Sequence, residues 1–362
     1  MQTDATFSDD VHARYGAQRL TVELANICNL HCSYCFRSED NLYSSRAEFL
    51  PVALLRRVIG EARDVANVTK ISFTGGEPTL HPDFAATLET VAGAEMTSSF
   101  VTNGWHFERV WPALAANRDS VSHVAFSLDG ITRETHDHWR GNGSFDRLVR
   151  AFSRCYMSNL PFAVKITVRR DLVDQLEQIA IFAARLGAAA LNFVHVMPTS
   201  TTLVDESALT LDEQRMVEEE VAILGRIFKM NIGVDVGYYN IDEERAPCSP
   251  LAGTSMNVDY RGRLSLCCNL SGFRGAAEET DVVADLNVES FASAFAKLKE
   301  VAATQLQKRK DALSALRAQG VMPDLFTGSP CLFCLQSFGK TPWRGQSASE
   351  PEVVSIRGRS NN

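Results

Sequence analysis

The sequence predicts an α/β protein in which a parallel sheet carries most of the chain and a smaller extension follows. The first two-thirds of the chain alternates short apolar runs with longer amphipathic runs, and the alternation occurs six times. Strands and helices that alternate in this way form βα units with right-handed crossovers, so the strands are expected to be parallel. After about residue 235 the alternation stops, which indicates a second, differently built region.

The apolar runs predict strands, and the amphipathic runs predict helices. The predicted strands are 20–24, 70–74, 98–102, 124–128, 162–168 and 190–194. The predicted helices are 52–65, 83–92, 107–116, 144–158, 172–186 and 211–228. The second region contains a predicted hairpin, with strands 255–257 and 263–267 around the turn 259–262, and then a helix over 288–316. We therefore expect an N-terminal lead over 1–18, the βα region over 19–235, the extension over 236–344 and a flexible tail over 345–362.

The composition excludes several classes of protein. The 362 residues include 36 Lys and Arg against 44 Asp and Glu, and a formal net charge of −8 makes the chain a poor binder of nucleic acid. No apolar run is long enough to span a bilayer, and the polar, acidic start of the chain is unlike a secretory signal. We expect a cytoplasmic protein that binds neither nucleic acid nor membranes.

Nine cysteines fall into two groups with one member between them. In a reducing compartment, cysteines are more often metal ligands or catalytic groups than a disulfide framework. The first group is Cys28, Cys32 and Cys35, and the second is Cys248, Cys267, Cys268, Cys331 and Cys334. The remaining cysteine, Cys155, lies in a predicted helix, where a buried inert thiol is the favoured interpretation. The two groups predict two separate sites.

Polar clusters follow the ends of the predicted strands. The first cysteine group follows the first strand, the sequence Gly-Gly-Glu-Pro at 75–78 follows the second, and polar residues follow each of the other four. Function concentrates at the carboxyl ends of parallel strands, whether the sheet stays open or closes into a barrel. We therefore expect all of these clusters to lie on one rim.

The first cysteine group supplies three thiolates within eight residues, which is one ligand fewer than an iron–sulfur cluster normally has. Such a loop leaves one iron open to a ligand that is not protein. A structural zinc site needs a closed set of four ligands, and His31 lies in the same tight loop, where its reach is poor. The alternatives are a zinc loop and buried free thiols.

The C-x3-C-x2-C spacing, with the aromatic Tyr34 before the third cysteine, resembles the signature of the radical S-adenosylmethionine (SAM) superfamily. The resemblance implies a partial (β/α)6 TIM-like barrel. It also implies a [4Fe–4S] cluster that Cys28, Cys32 and Cys35 hold, with SAM on the open iron. Reduction of the cluster by a donor such as flavodoxin or ferredoxin would cleave SAM to a 5′-deoxyadenosyl radical, which removes a hydrogen atom from the substrate.

Further motifs resemble the SAM-contacting segments of that superfamily. Gly75, Gly76, Glu77 and Pro78 match the segment that runs along the methionine amino group. Paired glycines allow close approach of the backbone to a ligand, and Glu77 offers an acceptor to an ammonium group. The resemblance extends to three further residues that match positions near the SAM ribose or carboxylate, namely Asn103, Ser127 and Arg169. For these three, polar capping of strand ends is the alternative.

The loop after the fourth strand also resembles a stretch that is common in the superfamily, over residues 137–146. We assign no catalytic role to Asp137, His138, Arg140 or Gly141. An Arg-Gly turn that leads to Ser144 as a helix N-cap explains this stretch without chemistry.

The second cysteine group predicts an auxiliary site. Cys248-x18-Cys267-x63-Cys331-x2-Cys334 supplies four ligands, and Gly262-x4-Cys267 resembles the hairpin of the SPASM/Twitch extensions found behind radical SAM barrels. A full SPASM domain carries seven or more cysteines, so the resemblance favours the shorter Twitch form with one auxiliary [4Fe–4S] cluster. A zinc site on the same four thiolates is the alternative.

Cys268 is adjacent to a predicted ligand and is not expected to join the same cluster. Its thiol is a candidate hydrogen-atom donor to a product radical, as in radical epimerases that resemble this chain. An ordinary buried cysteine on the two-residue alternation of a strand is the other interpretation.

The resemblance implies an enzyme but leaves its substrate open. Only about twenty residues precede the first strand, too few for a leader-peptide-binding module, which favours a small polar substrate. The main expectation is a radical SAM enzyme that oxidises or epimerises a natural-product precursor such as an amino sugar. One alternative is modification or crosslinking of a ribosomally made peptide. The other is a non-catalytic iron–sulfur carrier or scaffold.

Overall fold

The computed structural model describes residues 18–37, 42, 46–204, 206–242, 247–273 and 279–341. The predicted tail, and all of the predicted lead except residue 18, lie outside these residues. Seven parallel strands form the larger part of the described sheet. They are β1 (Gln18–Ala25), β2 (Val68–Gly75), β3 (Thr97–Thr102), β4 (Val121–Leu128), β5 (Phe162–Val168), β6 (Ala190–His195) and β7 (Asn231–Val236).

The parallel sheet confirms the predicted α/β architecture, and six strands coincide with predicted ones. Each strand from β1 to β7 pairs with the next one along the chain, so the carboxyl ends of all seven lie on one rim. β7 was not predicted. Its apolar residues Ile232, Val234 and Val236 alternate with polar residues and glycine and pack against the core, but none of the six residues is fully buried. The barrel region therefore has one strand more than the sequence indicated.

The extension continues the same sheet on the other side of β1. β8 (Ser255–Val258) pairs in parallel with β1, and β9 (Arg263–Ser265) and β10 (Val282–Asp285) add two antiparallel strands. Asp259 Oδ1 accepts hydrogen bonds from the backbone nitrogens of Arg261 and Arg263, at 2.9 and 2.8 Å, and so holds the predicted β8–β9 turn. This confirms the hairpin and adds β10.

Helices cover the outer face of the sheet and complete the extension. In the barrel region they are α1 (Val52–Ala66), α2 (Phe84–Gly93), α3 (Phe107–Ala116), α4 (Arg133–Arg140), α5 (Ser144–Met157), α6 (Leu176–Arg185), α7 (Ser200–Val204) and α8 (Leu211–Ile227). In the extension they are α9 (Cys268–Ser271), α10 (Phe291–Ala318), α11 (Leu325–Gly328) and α12 (Pro330–Ser337). The predicted helix 172–186 is divided into a 3-10 turn, Arg170–Gln175, and α6.

The stretch after β4 is a helix and not the predicted loop. α4 begins at a capping box, in which the side chains of Thr132 and Thr135 each bind the backbone of the other. The predicted cap of α5 is also wrong, because Gly143 occupies the N-cap position. Asp137 does the capping instead, and its carboxylate accepts hydrogen bonds from Gly143 N, Ser144 Oγ and Phe145 N at 2.7–2.9 Å.

The two faces of the parallel strands differ in chemistry, because successive side chains of a strand point to opposite faces. On β1, Val22 and Leu24 are fully buried in the apolar core between sheet and helices. Glu23, between them, is fully buried among polar groups. Lys165 of β5 forms an ion pair with Asp235 of β7, and both side chains are partly exposed. The inner face of the barrel is therefore polar and carries charges of both signs.

Candidate active site

Cys28, Cys32 and Cys35 lie in the loop after β1 and line one cavity of about 200 Å³. The loop is folded by hydrogen bonds from Cys35 N to Cys32 O, at 3.0 Å, and from Leu30 N to the sulfur of Cys28, at 3.4 Å. Burial raises the pKa of the Cys28 thiol to about 12 and also raises the pKa of Cys32. Three sulfurs on one cavity fit a cluster that has one iron open to another ligand.

Most of the predicted SAM-contacting residues line the same cavity. From the second motif and the other strand ends, these are Tyr34, Gly75, Gly76, Glu77, Asn103 and Ser127. Among the described residues, Pro78 and Arg169 are not part of the lining: Pro78 begins a 3-10 turn, and Arg169 lies fully buried behind Asp129. The lining also includes Arg140, for which the sequence had indicated no chemistry.

The carboxylate of Glu77 accepts four hydrogen bonds from neighbouring residues. It accepts hydrogen bonds from Thr79 N and Oγ1 (3.1 and 2.6 Å), from Thr102 Oγ1 (2.7 Å) and from Asn103 N (2.8 Å). Burial raises the pKa of Glu77, and these hydrogen bonds oppose the rise. Glu77 therefore braces the ends of β2 and β3, which gives it a positioning role that the sequence did not indicate.

Gly75 and Gly76 allow the cysteine loop to pass directly against the end of β2. A Cβ on Gly76 would lie 1.9 Å from the carbonyl oxygen of Ile27, and a Cβ on Gly75, whose φ is +127°, would lie 2.5 Å from Ala25 O. The backbone nitrogens of Gly76 and Glu77 donate to the carbonyls of Ala25 and Ile27, both at 2.8 Å. Only glycine fits this approach, which sets the position of the loop just before Cys28.

Asp129 joins the cysteine loop to the elements after β4 and β5. Its carboxylate accepts hydrogen bonds from Tyr34 Oη and Arg140 Nε, and from Arg169 Nη1 at 3.3 Å. Arg140 Nη2 also donates to Tyr34 Oη at 2.8 Å. Burial alone would raise the pKa of Asp129, but the charges of Arg140 and Arg169 hold it below its usual value. The pairing fixes Arg140 beside the cavity as a permanent cation.

Arg169 supports this arrangement from behind. Its guanidinium stacks on the ring of Trp139 at 4.0 Å and lies 5.0 Å from the ring of Tyr34. It also pairs with Asp171 at 3.2 Å. These contacts hold Arg169 beside Asp129 and Tyr34, and its predicted contact with SAM stays a prediction.

The four predicted auxiliary cysteines are brought together by the extension. Burial raises the pKa of Cys331 to about 12, and the charge of Cys248 raises it further. Burial also raises the pKa of Cys334, and the charges of Cys248 and Cys331 act in the same direction. A hydrogen bond to Cys268 raises the pKa of Cys267, and the charge of Cys331 raises it further. Four thiols that influence one another in this way fit a single thiolate-bound centre.

Cys268 lies between this group and the inner face of the barrel. Its hydrogen bond with Cys267 lowers its pKa, and it interacts electrostatically with Glu23, Arg37 and Lys165. Those groups belong to β1, the cysteine loop and β5. The role of Cys268 as a hydrogen-atom donor stays a prediction.

Glu23 connects the two cysteine sites. It forms an ion pair with Arg37, two residues after Cys35, at 2.6 Å. It also accepts hydrogen bonds from Asn257 Nδ2 of β8, at 3.0 Å, and from Ser271 Oγ of α9. One buried carboxylate therefore links the first cysteine loop to the extension, and the sequence analysis missed it.

Within the described ranges, no three His, Cys, Asp or Glu side chains converge closely enough to surround one metal ion. The family comparison decides the identity: residues 22–183 match the model described as the Radical SAM superfamily. Residues 22–183 of this chain are a radical SAM domain. Such a domain binds a [4Fe–4S] cluster and SAM, and the three thiols on the cavity fit that cluster.

Among curated relatives of this radical SAM protein is "Mycofactocin maturase MftC" of Mycolicibacterium smegmatis. It is 32% identical over 213 residues, which are 57% of this chain and 52% of the relative. "PqqA peptide cyclase" of Gluconobacter oxydans is 23% identical over 320 residues, which are 87% of this chain and 82% of the relative. The chain spans about half the length of the mycofactocin maturases it matches.

The fold of this radical SAM protein also occurs in Streptococcus suis SuiB, solved with its precursor peptide SuiA. The TM-score is 0.61 at 15% identity, over 79% of this chain and 67% of SuiB. This likeness confirms the predicted barrel with its extension. None of the helices in the described ranges has the length and apolar character that crossing a membrane requires.

Lowering the pH from about 6.5 to about 4 will reduce the free energy of unfolding of this radical SAM protein, because His136 is held neutral in the fold. Burial lowers the pKa of His136 to about 4, and the charge of Arg140 acts in the same direction. The ring Nδ1 accepts a hydrogen bond from Asp129 N at 3.2 Å, which requires the neutral ring. The unfolded chain takes up this proton first, so the free energy of unfolding falls across that window, by about 3 kcal/mol.

Denaturant unfolding at a series of pH values measures this effect. The substitution His136→Asn keeps an acceptor and should flatten the slope between pH 6.5 and 4. The matched control is His138→Asn, which removes an exposed imidazole from the same helix and should leave the slope unchanged. An unchanged slope in His136→Asn would contradict the assignment.

Proposed function

We propose that this chain is a peptide maturase, which modifies a ribosomally made peptide by radical chemistry at the cavity beside Cys28, Cys32 and Cys35. The observation that carries the proposal is the convergence of the three thiols, the segment 75–77 and Arg140 on one cavity. When bound there, the reduced cluster and SAM supply a carbon radical that removes a hydrogen atom from the substrate. The names of several relatives, which are peptide maturases and a peptide cyclase, support a peptide substrate over an amino sugar.

The residues of the cavity would divide the work of holding the cofactor. Cys28, Cys32 and Cys35 would ligate the cluster, and the backbone at Gly75 and Gly76 would lie along SAM. Asn103 and Ser127, at the ends of β3 and β4, offer hydrogen bonds, and Arg140 offers a fixed positive charge to a carboxylate. Glu77, Asp129 and Arg169 hold these groups in position.

The inner face of the barrel would receive the peptide. Lys165 and Asp235 are partly exposed there, and each can pair with a charged or amide group of a bound chain. Cys268 lies on the same side, near Glu23 and Lys165. The thiol of Cys268 would return a hydrogen atom if the reaction is an epimerisation. The auxiliary centre, with Cys248, Cys267, Cys331 and Cys334 as ligands, would accept an electron if the reaction is an oxidation or a crosslinking.

The test uses anaerobically reconstituted protein with SAM and dithionite. Synthetic peptides encoded by reading frames beside the gene are compared with a panel of amino sugars. We expect a peptide to raise the yield of 5′-deoxyadenosine above the substrate-free level and to be converted to a product that chromatography separates from it. Turnover in D2O then separates the reactions, because epimerisation introduces deuterium at a carbon centre, whereas oxidation or crosslinking gives a product two hydrogens lighter.

Two outcomes would contradict the proposal. Stimulation by amino sugars but not by any peptide would restore the small-substrate hypothesis. Absence of 5′-deoxyadenosine in a preparation that contains both clusters would favour the carrier or scaffold hypothesis. Iron near eight per chain, the content of two cubane clusters, identifies such a preparation.

A further inference from the structure

The long helix α10 carries two buried polar side chains against the auxiliary cysteines. Gln305 and Arg309 lie one turn apart on the same face, and they are only 2% and 8% exposed. Their basic neighbours Lys308 and Lys310 are exposed. The basic stretch in the middle of the helix therefore consists of two solvated charges and one charge that faces inward.

Gln305 is oriented toward a predicted cluster ligand. Its Oε1 accepts a hydrogen bond from Ser337 Oγ at 2.9 Å, which fixes the amide, and its Nε2 donates to the sulfur of Cys334 at 3.6 Å. A donor aimed at a ligand sulfur stabilises added negative charge on that sulfur.

Arg309 is held rigidly next to the same thiols. Its Nη2 donates to the carbonyl oxygens of Asn240 and Gly328, and the second bond is 3.0 Å long. Both of these bonds go to neutral carbonyls, and among the residues that the structure describes no group accepts a hydrogen bond from its buried Nε. Burial lowers the pKa of Arg309, and the thiols of Cys248, Cys334 and Cys331 act against that effect.

A buried guanidinium stays charged, and its burial is costly unless a negative group compensates it. Around Arg309, the groups that can carry negative charge include Cys248, Cys331 and Cys334, together with Tyr238. Four thiolates on a [4Fe–4S] cluster give a net negative centre, which becomes more negative by one charge on reduction. A cluster bound to these thiolates would therefore supply the negative charge that compensates Arg309.

We propose that Gln305 and Arg309 set the reduction potential of the auxiliary cluster, raising it so that the cluster takes up an electron. This inference rests on the proposed assignment of that cluster to the four cysteines. One electron enters with no bond made or broken. The cation and the hydrogen bond both stabilise the reduced form more than the oxidised form. Both residues are positioning residues and do not touch the substrate.

The experiment is a redox titration with dithionite, followed by EPR, on the reconstituted chain. The background variant C28A/C32A/C35A isolates the auxiliary cluster, and iron analysis should give about four per chain. We expect Arg309→Met to weaken the preference for the reduced form at least tenfold, about 59 mV for one electron. Gln305→Leu should shift the potential in the same direction, and Arg309→Lys should restore most of the wild-type value.

Lys308→Met is the matched control, because it removes the same charge from the exposed side of the helix. It should shift the reduction potential by only a small fraction of the shift seen in Arg309→Met. Wild-type potentials in both Arg309→Met and Gln305→Leu, with the cluster present, would overturn the inference. An equal shift in Lys308→Met would also overturn it, because the effect would then depend only on net charge. Absence of any cluster in the background variant would instead refute the four-cysteine assignment, and the inference with it.

Discussion

Replacing Cys28, Cys32 and Cys35 together by alanine will abolish the reductive cleavage of SAM by this chain. The three thiols are the predicted cluster ligands, and they line the same cavity as most of the predicted SAM contacts. Without them the cluster that binds SAM cannot form, so no radical is generated. The iron content should fall from about eight to about four per chain, while the EPR signal of the auxiliary cluster persists. Chromatographic measurement of 5′-deoxyadenosine after incubation with SAM and dithionite gives the result.

Cys155→Ala is the matched control for that experiment. Cys155 of α5 is fully buried in the apolar core, and burial raises its pKa to about 12. Its loss should cost packing energy, but it should leave both SAM cleavage and iron content unchanged. Cleavage of SAM by the triple variant would contradict the site assignment. Loss of cleavage in Cys155→Ala, with the cluster intact, would show that the assay responds to general destabilisation.

Gly76→Ala should impair SAM cleavage nearly as strongly, although it removes no ligand. A Cβ at this position would lie 1.9 Å from Ile27 O, and the clashing atom belongs to the backbone just before Cys28. The cysteine loop must therefore move by an ångström or so, which can cost roughly a hundredfold in rate. Overpacking of this kind also lowers the free energy of unfolding by about 1–3 kcal/mol.

Gly60→Ala is the control for Gly76→Ala, because it makes the same chemical change in the interior of α1. Apart from its chain neighbours and the backbone of its own helix, no atom of the described residues lies within 4 Å of a Cβ built there. Alanine stabilises a helix interior by about 0.5–1 kcal/mol relative to glycine. SAM cleavage should be unchanged and the midpoint of unfolding should rise. Equal cleavage rates in Gly76→Ala and the wild type would disprove the role of this close approach.

The strand and helix patterns predicted most of the barrel, because its strands are apolar on the face that packs against the helices. The prediction missed β7, Asn231–Val236, although Ile232, Val234 and Val236 alternate there with polar residues and glycine. α4, Arg133–Arg140, is strongly polar and is stabilised at its start by Thr132 and Thr135, a local cap that the apolar pattern does not reveal.

The candidate site was predictable where its chemistry is local in sequence, and not where it depends on distant pairs. The cysteine loop and the Gly-Gly-Glu-Pro segment can each be recognised from the spacing of residues that are close together in the sequence. Asp129 and Arg140, in contrast, meet only because β4 and α4 fold onto each other. Glu23 stands out as a lone acid within an apolar strand, and that was a clue to a buried ion pair. Its partners Asn257 and Ser271 are more than two hundred residues away, so the sequence could not identify them.

The sequence had favoured a small polar substrate, whereas the proposed substrate is a peptide. The small-molecule hypothesis rested on how few residues precede the first strand, which is an argument from length and not from chemistry. The polar inner face, with Lys165 and Asp235 accessible, gives a direct description of what a substrate would meet. That surface suits the amide groups and charges of a peptide.

β1 is hydrogen-bonded on both sides, by β2 of the barrel and by β8 of the extension. A chain cut after the seventh strand would leave one flank of this strand bare, with a row of unsatisfied amides and carbonyls. Exposed flanks of this kind recruit other chains and cause aggregation. The C-terminal third is therefore no detachable accessory. It shields the strand that leads into the cysteine loop, and we expect its removal to cause aggregation.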